Sequence, residues 1–511
     1  MSAVQKIVIL GGGTAGWLVA NHIARKRQLN RSTDVRVALI ESPGIPTVGV
    51  GEGTVPMMRQ TLEYLGIRET DFIRQCDATF KQSVKFIDWF APSDAQAAYY
   101  YHPFDYPNPT GFDATPYWLM DSVHSFAHTV GVQASLCDAG LGPKLLTHPE
   151  FSGPVSYAYH LDAAKFSQLL CEHAVSMGVE HIQSHVQAVT RLASGDIASL
   201  DTDSAGVIAG DLFIDCSGFR ARLIEQEMGV QLDDKNHTLF VDHALAVQVP
   251  YASADADIPC STLSTAQKAG WIWDIGLEKR RGVGYVYSSG HTTHDTAEIA
   301  LRRYLDDDNG DLSLRRIPMK IGVRSQAWCG NCVAMGLAQG FVEPLEATGL
   351  LLFDVTARML AEQLPTTRES MEPIASRFNQ RIGHTWDKVI DFIKLHYCIS
   401  NRSDSDFWCD NRALNTIPDG LQQNLDLWRH QMPTRYDFSS TIDIFNLENY
   451  LYVLYGMNFP TQPQTTQRFG QKQEYTNTVQ KIEQVTAQMK AQLMPHRALI
   501  EQIKKHGLQR V

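Results

Sequence analysis

The chain has 511 residues, enough to bury a large core and carry two or three domains. Its 44% hydrophobic and 20% charged content is ordinary for a globular protein, and a net charge of -11 with no Lys/Arg block argues against a nucleic-acid partner. No apolar run is long enough to cross a bilayer, and Ile7 to Leu10 is too short for a signal-peptide core, so a cytoplasmic protein without a membrane partner is expected.

Lys6-Ile7-Val8-Ile9-Leu10 reads as a buried parallel strand, because it is a continuous apolar run. The loop Gly11-Gly12-Gly13-Thr14-Ala15-Gly16 follows, then a helical segment from Trp17 to about Lys26. A strand over Val35 to Ile40 ends on Glu41. Gly11-x-Gly13-x-x-Gly16 thus follows a strand and opens a helix, the context in which such glycines let a backbone approach a pyrophosphate at a helix N-terminus. Glu41 stands where a carboxylate accepts the ribose hydroxyls. The motif alone does not separate NAD from FAD.

Further along, Lys81 lies between a predicted helix and an alternating strand, Val84 to Phe90. From about 180 to 250 short strands alternate with turns, and Gly210 to Gly218 holds a buried strand closing on a glycine turn. Trp271 and Trp273 are two apart, so on a strand they share a face. The acidic run Asp306-Asp307-Asp308-Asn309-Gly310-Asp311 lacks the glycine position and closing glutamate of a calcium loop and reads as a solvated turn. The nine cysteines are odd in number and scattered, as in a reduced protein. Cys329 and Cys332 have redox spacing, but Val333 to Ala338 reads as a strand rather than the helix that would favour a thiolate. No metal site is expected. Leu350 to Leu364 reads as a long apolar helix. Beyond about 370 the chain turns helical, most clearly over Trp386 to Tyr397 and over a single helix from Asn477 to Lys505.

Four blocks carry a family resemblance. They are Pro46-Thr-Val-Gly-Val-Gly-Glu-Gly-Thr-Val-Pro56, Phe80-Lys81-Gln82-Ser83-Val84-Lys85-Phe86, Gly270-Trp271-Ile272-Trp273-Asp274-Ile275 and Phe341-Val342-Glu343-Pro344-Leu345-Glu346. Respectively they resemble the flavin strap, the catalytic-lysine segment, the paired-Trp signature and the glutamate segment of the flavin-dependent tryptophan halogenases. Gly276 stands where a proline is common in that family. The resemblance runs from residue 5 to about 460.

It implies an α/β (α+β) flavoprotein. A Rossmann-like FAD-binding module of the aromatic-hydroxylase type would span 1–370, with a substrate-pocket segment near 98–155. A mainly helical substrate module would span 371–511. By the same resemblance FAD, delivered reduced by a separate flavin reductase without a stable complex, lies against Gly11, Gly13, Thr14, Ala15, Gly16, Glu41, Val50, Gly51, Val186 and Leu337. Thr348 and Gly349 face the halide, chloride or bromide. Lys81 holds or carries the oxidised halogen, and Glu346 orients it or takes the ring proton. His102, Phe104, Trp271, Trp273 and Phe445 line the substrate, with the Trp pair keeping it from the flavin. A homodimer is compatible with the sequence.

The physical reading stands beside that. An ammonium can donate to hypohalous acid, whereas a neutral amine would form a haloamine, which requires desolvation to lower the lysine pKa. Free backbone N–H groups at the start of the helix after Thr348 make a halide pocket plausible. Tyr436 to Tyr450 lacks the tyrosine pair and tryptophan with which family members hold free tryptophan, which points to indole or another electron-rich aromatic as substrate. The rivals are an FAD-dependent aromatic hydroxylase, a disulfide reductase using Cys329 and Cys332, and a non-catalytic flavin carrier.

Overall fold

The computed structural model describes residues 3–30, 35–44, 51–91, 98–120, 124–307, 309–438, 444–462 and 471–510. The apolar run Lys6–Leu10 is the third-from-edge strand of a six-stranded sheet and pairs in parallel with Arg36–Glu41 on one side and Leu212–Asp215 on the other. Cys332–Ala334 extends the parallel array, and Trp328–Cys329 closes it as an antiparallel edge. Ile7, Val8 and Ile9 are fully buried because both faces of such a sheet are covered. The helices Thr14–Leu29 and Thr348–Glu362 pack against each other on it.

A second, seven-stranded sheet runs Arg315–Pro318, His243–Pro250, Arg280–Tyr287, Gly270–Gly276, Ser261–Gln267, Ser83–Ile87, Tyr99–Pro103. It carries the Trp pair in its middle and His102 on its edge strand. A small three-stranded sheet joins the two regions, with Ala158–Leu161 between Glu52–Gly53 and Thr79–Lys81. Its register sets Lys81 opposite Ala158 and Thr79 opposite His160. One hydrophobic cluster runs from Ile7 through Trp271 to the C-terminal helices, crossing residue 370.

Several elements differ from their sequence expectation for local reasons. The first helix begins at Thr14 and ends at Leu29, since the glycine loop itself forms its first turn. The helix expected from Trp386 starts at Met371 and runs to Cys398; Pro373 falls in its first turn, where no N–H is needed. The expected helix from Asn477 to Lys505 is two, Lys472–Gln492 and His496–His506, parted by Leu493 to Pro495. The strand after Lys81 stops at Ile87 because Asp88 takes a left-handed conformation, φ 61°. In the acidic run Asp307 is buried and accepts from Arg302 and from the N–H groups of Asp311 and Leu312, so it organises the turn rather than facing solvent. Asp308 lies outside the described residues. Among the described residues no helix is long and apolar enough to cross a membrane.

The strand next to Lys81 is braced by a fully buried ion pair. Lys144 Nζ donates to Glu69 Oε2 at 3.0 Å, and the hydroxyls of Tyr157 and Tyr159 donate to Glu69 Oε1 at 2.8 and 2.7 Å. Phe151 N–H completes the carboxylate's shell at 2.6 Å. Removing one partner of such a pair leaves a buried, uncompensated charge. Lys144→Met is therefore expected to lower unfolding free energy by about 3–5 kcal/mol in urea denaturation; a loss under about 1 kcal/mol would show that the pair does not brace this strand.

Candidate active site

The glycine loop has the shape a dinucleotide needs. A Cβ on Gly11, at φ 118°, would stand 2.2 Å from the Cys216 carbonyl oxygen, and one on Gly16 would stand 2.0 Å from the Gly11 oxygen. Gly13 instead faces open space, with nothing within 4 Å of a Cβ. It is the N-cap of the helix and supplies no side-chain cap, which leaves the N–H groups of Thr14, Ala15 and Gly16 for an anion. Glu41 ends the neighbouring strand with its carboxylate beside Gly12, and it accepts from His181 Nε2 at 2.8 Å. These residues fit the pyrophosphate and a ribose. The turn Gly336–Ala338 brings Leu337 to the same place, since a Cβ on Gly336 would lie 2.6 Å from Ala15 Cβ. Val186 opens a strand packed on the cluster of Leu10 and Ile40. Gly51 lies against Gly282 and Ile275. Val50 and the strap residues 46–49 lie outside the described residues.

Lys81 ends its strand pointing into protein. It is 1% exposed, and among the described residues its ammonium makes no hydrogen bond or ion pair. Nζ sits 5.3 Å from the centre of the Phe104 ring and 3.3 Å from where a Gly53 Cβ would be, with Thr262 and His160 close to the same point. Burial pushes its pKa down to about 8, against the pull of Glu346, which works the other way. Burial, the Lys81 charge and His496 together hold the His160 ring well below the usual histidine range, so it adds no competing cation.

Glu346 is the opposite charge, and its backbone is unusual. Glu346 and Ala347 both adopt left-handed conformations, φ 62° and 57°, without glycine to ease them. The result is a sharp corner just before the helix Thr348–Glu362, with the carboxylate turned inward at 5% exposure. Its Oε1 is held by two rings, His102 Nδ1 at 2.6 Å and His396 Nε2 at 3.1 Å. The Asn449 Oδ1 is used by Asn446 N–H at 2.8 Å, so its amide nitrogen faces His102 Nε2 at 3.0 Å and donates to it. His102 therefore donates to Glu346 from Nδ1. His396, unlike His102, has an acceptor at each nitrogen, the Phe392 carbonyl at 2.8 Å and Glu346 at 3.1 Å. Burial would raise the Glu346 carboxyl, yet the attraction and hydrogen bond of His102, then those of His396, keep it well below the usual carboxylate range. Among the described residues Oε2 has no hydrogen-bond partner.

The Trp pair lies side by side, as the strand period requires, with ring centres 6.4 Å apart. Trp271 is buried and its Nε1 donates to Glu343 Oε2 at 2.6 Å, while Tyr397 donates to the same oxygen at 2.5 Å. Burial pushes Glu343 up to about 7 despite those bonds and nearby Lys394. Trp273 is half-buried and fits because its neighbour is Gly284, where a Cβ would come within 2.1 Å of the indole. Trp89 links this wall to the carboxylate, with ring centres 6.3 Å from Trp271 and 6.0 Å from His396. On the far side Phe445 stacks on Phe392 at 4.0 Å, and Phe392 lies 6.1 Å from His102. Thr348 and Gly349 open the helix beyond the corner. A Cβ on Gly349 would meet nothing within 4 Å, while Thr348 is fully buried.

Lys81, Phe104, His102, Glu346 and the Trp pair are thus brought to one place. His396, Asn449, Glu343, Tyr397 and Phe392 share it and were not singled out from sequence. Glu343 stood inside the glutamate segment, and Asn446-x-x-Asn449 is a readable capping box. His396 sits within a predicted helix and carried no spacing signal. The Cys329 and Cys332 pair across an edge hairpin as free thiols, and burial pushes the Cys332 thiol well up, which suits packing rather than exchange.

The profile of the family described as tryptophan halogenase matches residues 6–473. A tryptophan 6-halogenase of Streptomyces toxytricini is 36% identical over 452 residues, covering 84% of each chain. The crystal structure of a tryptophan halogenase from Shewanella frigidimarina superposes with a TM-score of 0.96 at 43% identity, covering 100% of this chain and 99% of that one. A flavin-dependent tryptophan C-6 halogenase of taromycin biosynthesis superposes with a TM-score of 0.91 at 31% identity, over 98% of this chain and 100% of that one.

The buried lysine makes a stability prediction with a definite sign. Its pKa falls to about 8 on folding, below the ordinary 10.5. The unfolded chain then binds more protons between those values, and stability rises with pH across that window. The unfolding free energy of the native chain should gain about 3 kcal/mol on Lys81→Met between pH 8 and 10.5. A difference that stays flat over the window would contradict the desolvated lysine.

Proposed function

The chain belongs to the tryptophan halogenase family, and from that premise we propose how its own residues carry the reaction and which ring they admit. It is a flavin-dependent halogenase acting on a tryptophan-like aromatic. Reduced FAD with O2 supplies the oxidising equivalent that turns chloride or bromide into hypohalous acid, and a separate reductase delivers that FAD. The glycine loop with Glu41 holds the dinucleotide. The first N–H groups at Thr348 and Gly349, at the positive end of the helix, hold the halide. The Trp271–Glu343–Tyr397 wall separates that region from the aromatic substrate.

The observation that carries the reading is the Lys81 ammonium, buried beside Phe104, without an ion-pair partner among the described residues and within the field of Glu346. As a cation it donates to hypohalous acid and sharpens its electrophilicity. With a pKa near 8 it is also partly a neutral amine, whose lone pair can take the halogen and release water. The substrate ring carbon then takes the halogen, and the ring proton leaves. Glu346 is kept ionised by its two imidazoles, and its Oε2 has no hydrogen-bond partner among the described residues, so it is placed to receive that proton. His102, Phe104 and Phe445 form the aromatic lining of the ring's pocket.

We place indole, or another electron-rich ring without an amino-acid tail, ahead of free tryptophan. Tyr436, at the start of the C-terminal stretch read as lacking a clamp, is 79% exposed. Residues 439–443 of that stretch lie outside the described residues. Assayed with a generic flavin reductase and bromide, the native protein should brominate indole with a kcat/KM above that for tryptophan; the reverse order would discard the substrate assignment. Lys81→Ala should lose about a thousandfold in halogenation while FAD binding is retained, as expected for a group that polarises or carries the halogen rather than holding the cofactor. Loss of FAD affinity in that variant would make the lysine structural.

A further inference from the structure

Three helices whose starts belong to the cofactor and halide regions are tied to one buried carboxylate. Asp354 lies within the helix Thr348–Glu362, which opens at the halide residues, and is 3% exposed. Its Oδ1 is 2.7 Å from His22 Nε2 in the helix Thr14–Leu29, which opens at the glycine loop. Its Oδ2 accepts from Thr61 Oγ1 at 2.5 Å in the helix Met57–Leu65, which follows the Glu52–Gly53 strand. His22 and Thr61 are 1% and 2% exposed. The His22 ring also stacks on Tyr64 of that third helix, with centres 5.8 Å apart.

A buried carboxylate is a poor way to gain stability, since apolar packing of the same volume avoids its desolvation. What it adds is direction. Hydrogen bonds weaken steeply with misalignment, so two of them fix the three helices in rotation and register more narrowly than leucine would. Two of these helices, Thr14–Leu29 and Thr348–Glu362, meet again where Ala15 and Phe353 both pack on Gly336, 2.6 and 3.9 Å from where its Cβ would be. Phe353 precedes Asp354. The glycine-loop helix and the halide-end helix are thus joined at two points, the tie and Gly336, and Met57–Leu65 is joined to them at the tie through Thr61.

We propose that Asp354, with His22 and Thr61, is a positioning residue that sets the dinucleotide loop, the Glu52–Gly53 segment before the helix Met57–Leu65 and the halide-binding helix start relative to one another. The proposal rests on the function above for the identity of the halide site. Its test measures two constants on full-length protein, the Kd for oxidised FAD by fluorescence titration and the bromide concentration giving half-maximal bromoindole formation. Asp354→Asn and the milder Thr61→Val should each raise both by about fivefold, the lower range of ordinary coupling between sites. Thr61→Ser, which keeps the hydroxyl, should restore both to within twofold of the native values. A fall in Tm with both constants unchanged, or a change in one constant alone, would overturn the proposal. If Asp354→Asn does not fold, Thr61→Val and Thr61→Ser decide. Native protein that makes no bromoindole would overturn the functional reading instead, and the FAD titration would still be read.

Discussion

Everything at this site follows from taking one ammonium out of water without giving it, among the described residues, a hydrogen-bond or ion-pair partner. A lysine in that position costs free energy in its charged form, and the cost is what brings its pKa into the working range. A carboxylate bonded directly to Nζ would cancel the effect. The fold avoids this by spending Glu346 on two histidines, so that its field reaches Lys81 while its oxygen Oε1 is already occupied. The two charges are thus kept near one another but not joined. Two successive left-handed residues build the corner that makes this placement, and glycine could not supply the carboxylate.

The wall is built by the same economy. Trp271 is a core side chain by burial, yet its one polar atom is aimed at Glu343 rather than at a backbone carbonyl. Tyr397 reaches the same oxygen from the long C-terminal helix. That helix therefore contributes to both sides of the site, Tyr397 to the wall and His396 to Glu346. Trp386, earlier in the helix, packs against Gly340, which precedes the glutamate segment. The helical C-terminal region supports the candidate site, and one hydrophobic cluster runs across residue 370.

How much of this was readable from sequence depends on whether the signal was local. The strand–glycine loop–helix unit was legible because backbone geometry forces glycine at Gly11 and Gly16, and the Trp pair because a strand has a period of two. Lys81 and Glu346 were legible only through the family's motifs; by themselves a lysine and a glutamate are surface residues. His396 and Asn449 were not legible, because their role is fixed by tertiary contacts to residues 50 and 347 positions away. The left-handed corner at Glu346–Ala347 was hidden for a different reason, since neither residue type announces it. The helix break at Pro495 and the early start at Met371 were open to a stricter reading of proline.

The proposed function divides the labour, with oxidation of halide on one side of the Trp271–Glu343 wall and halogen transfer to the ring on the other. Turnover under 18O2 with bromide and indole, read by product mass, tests that division most directly. It predicts bromoindole with the bromine isotope pair and no 18O in the product. Indole carrying 18O at a yield comparable to bromination would contradict it, because oxygen would then be reaching the substrate directly from the flavin side.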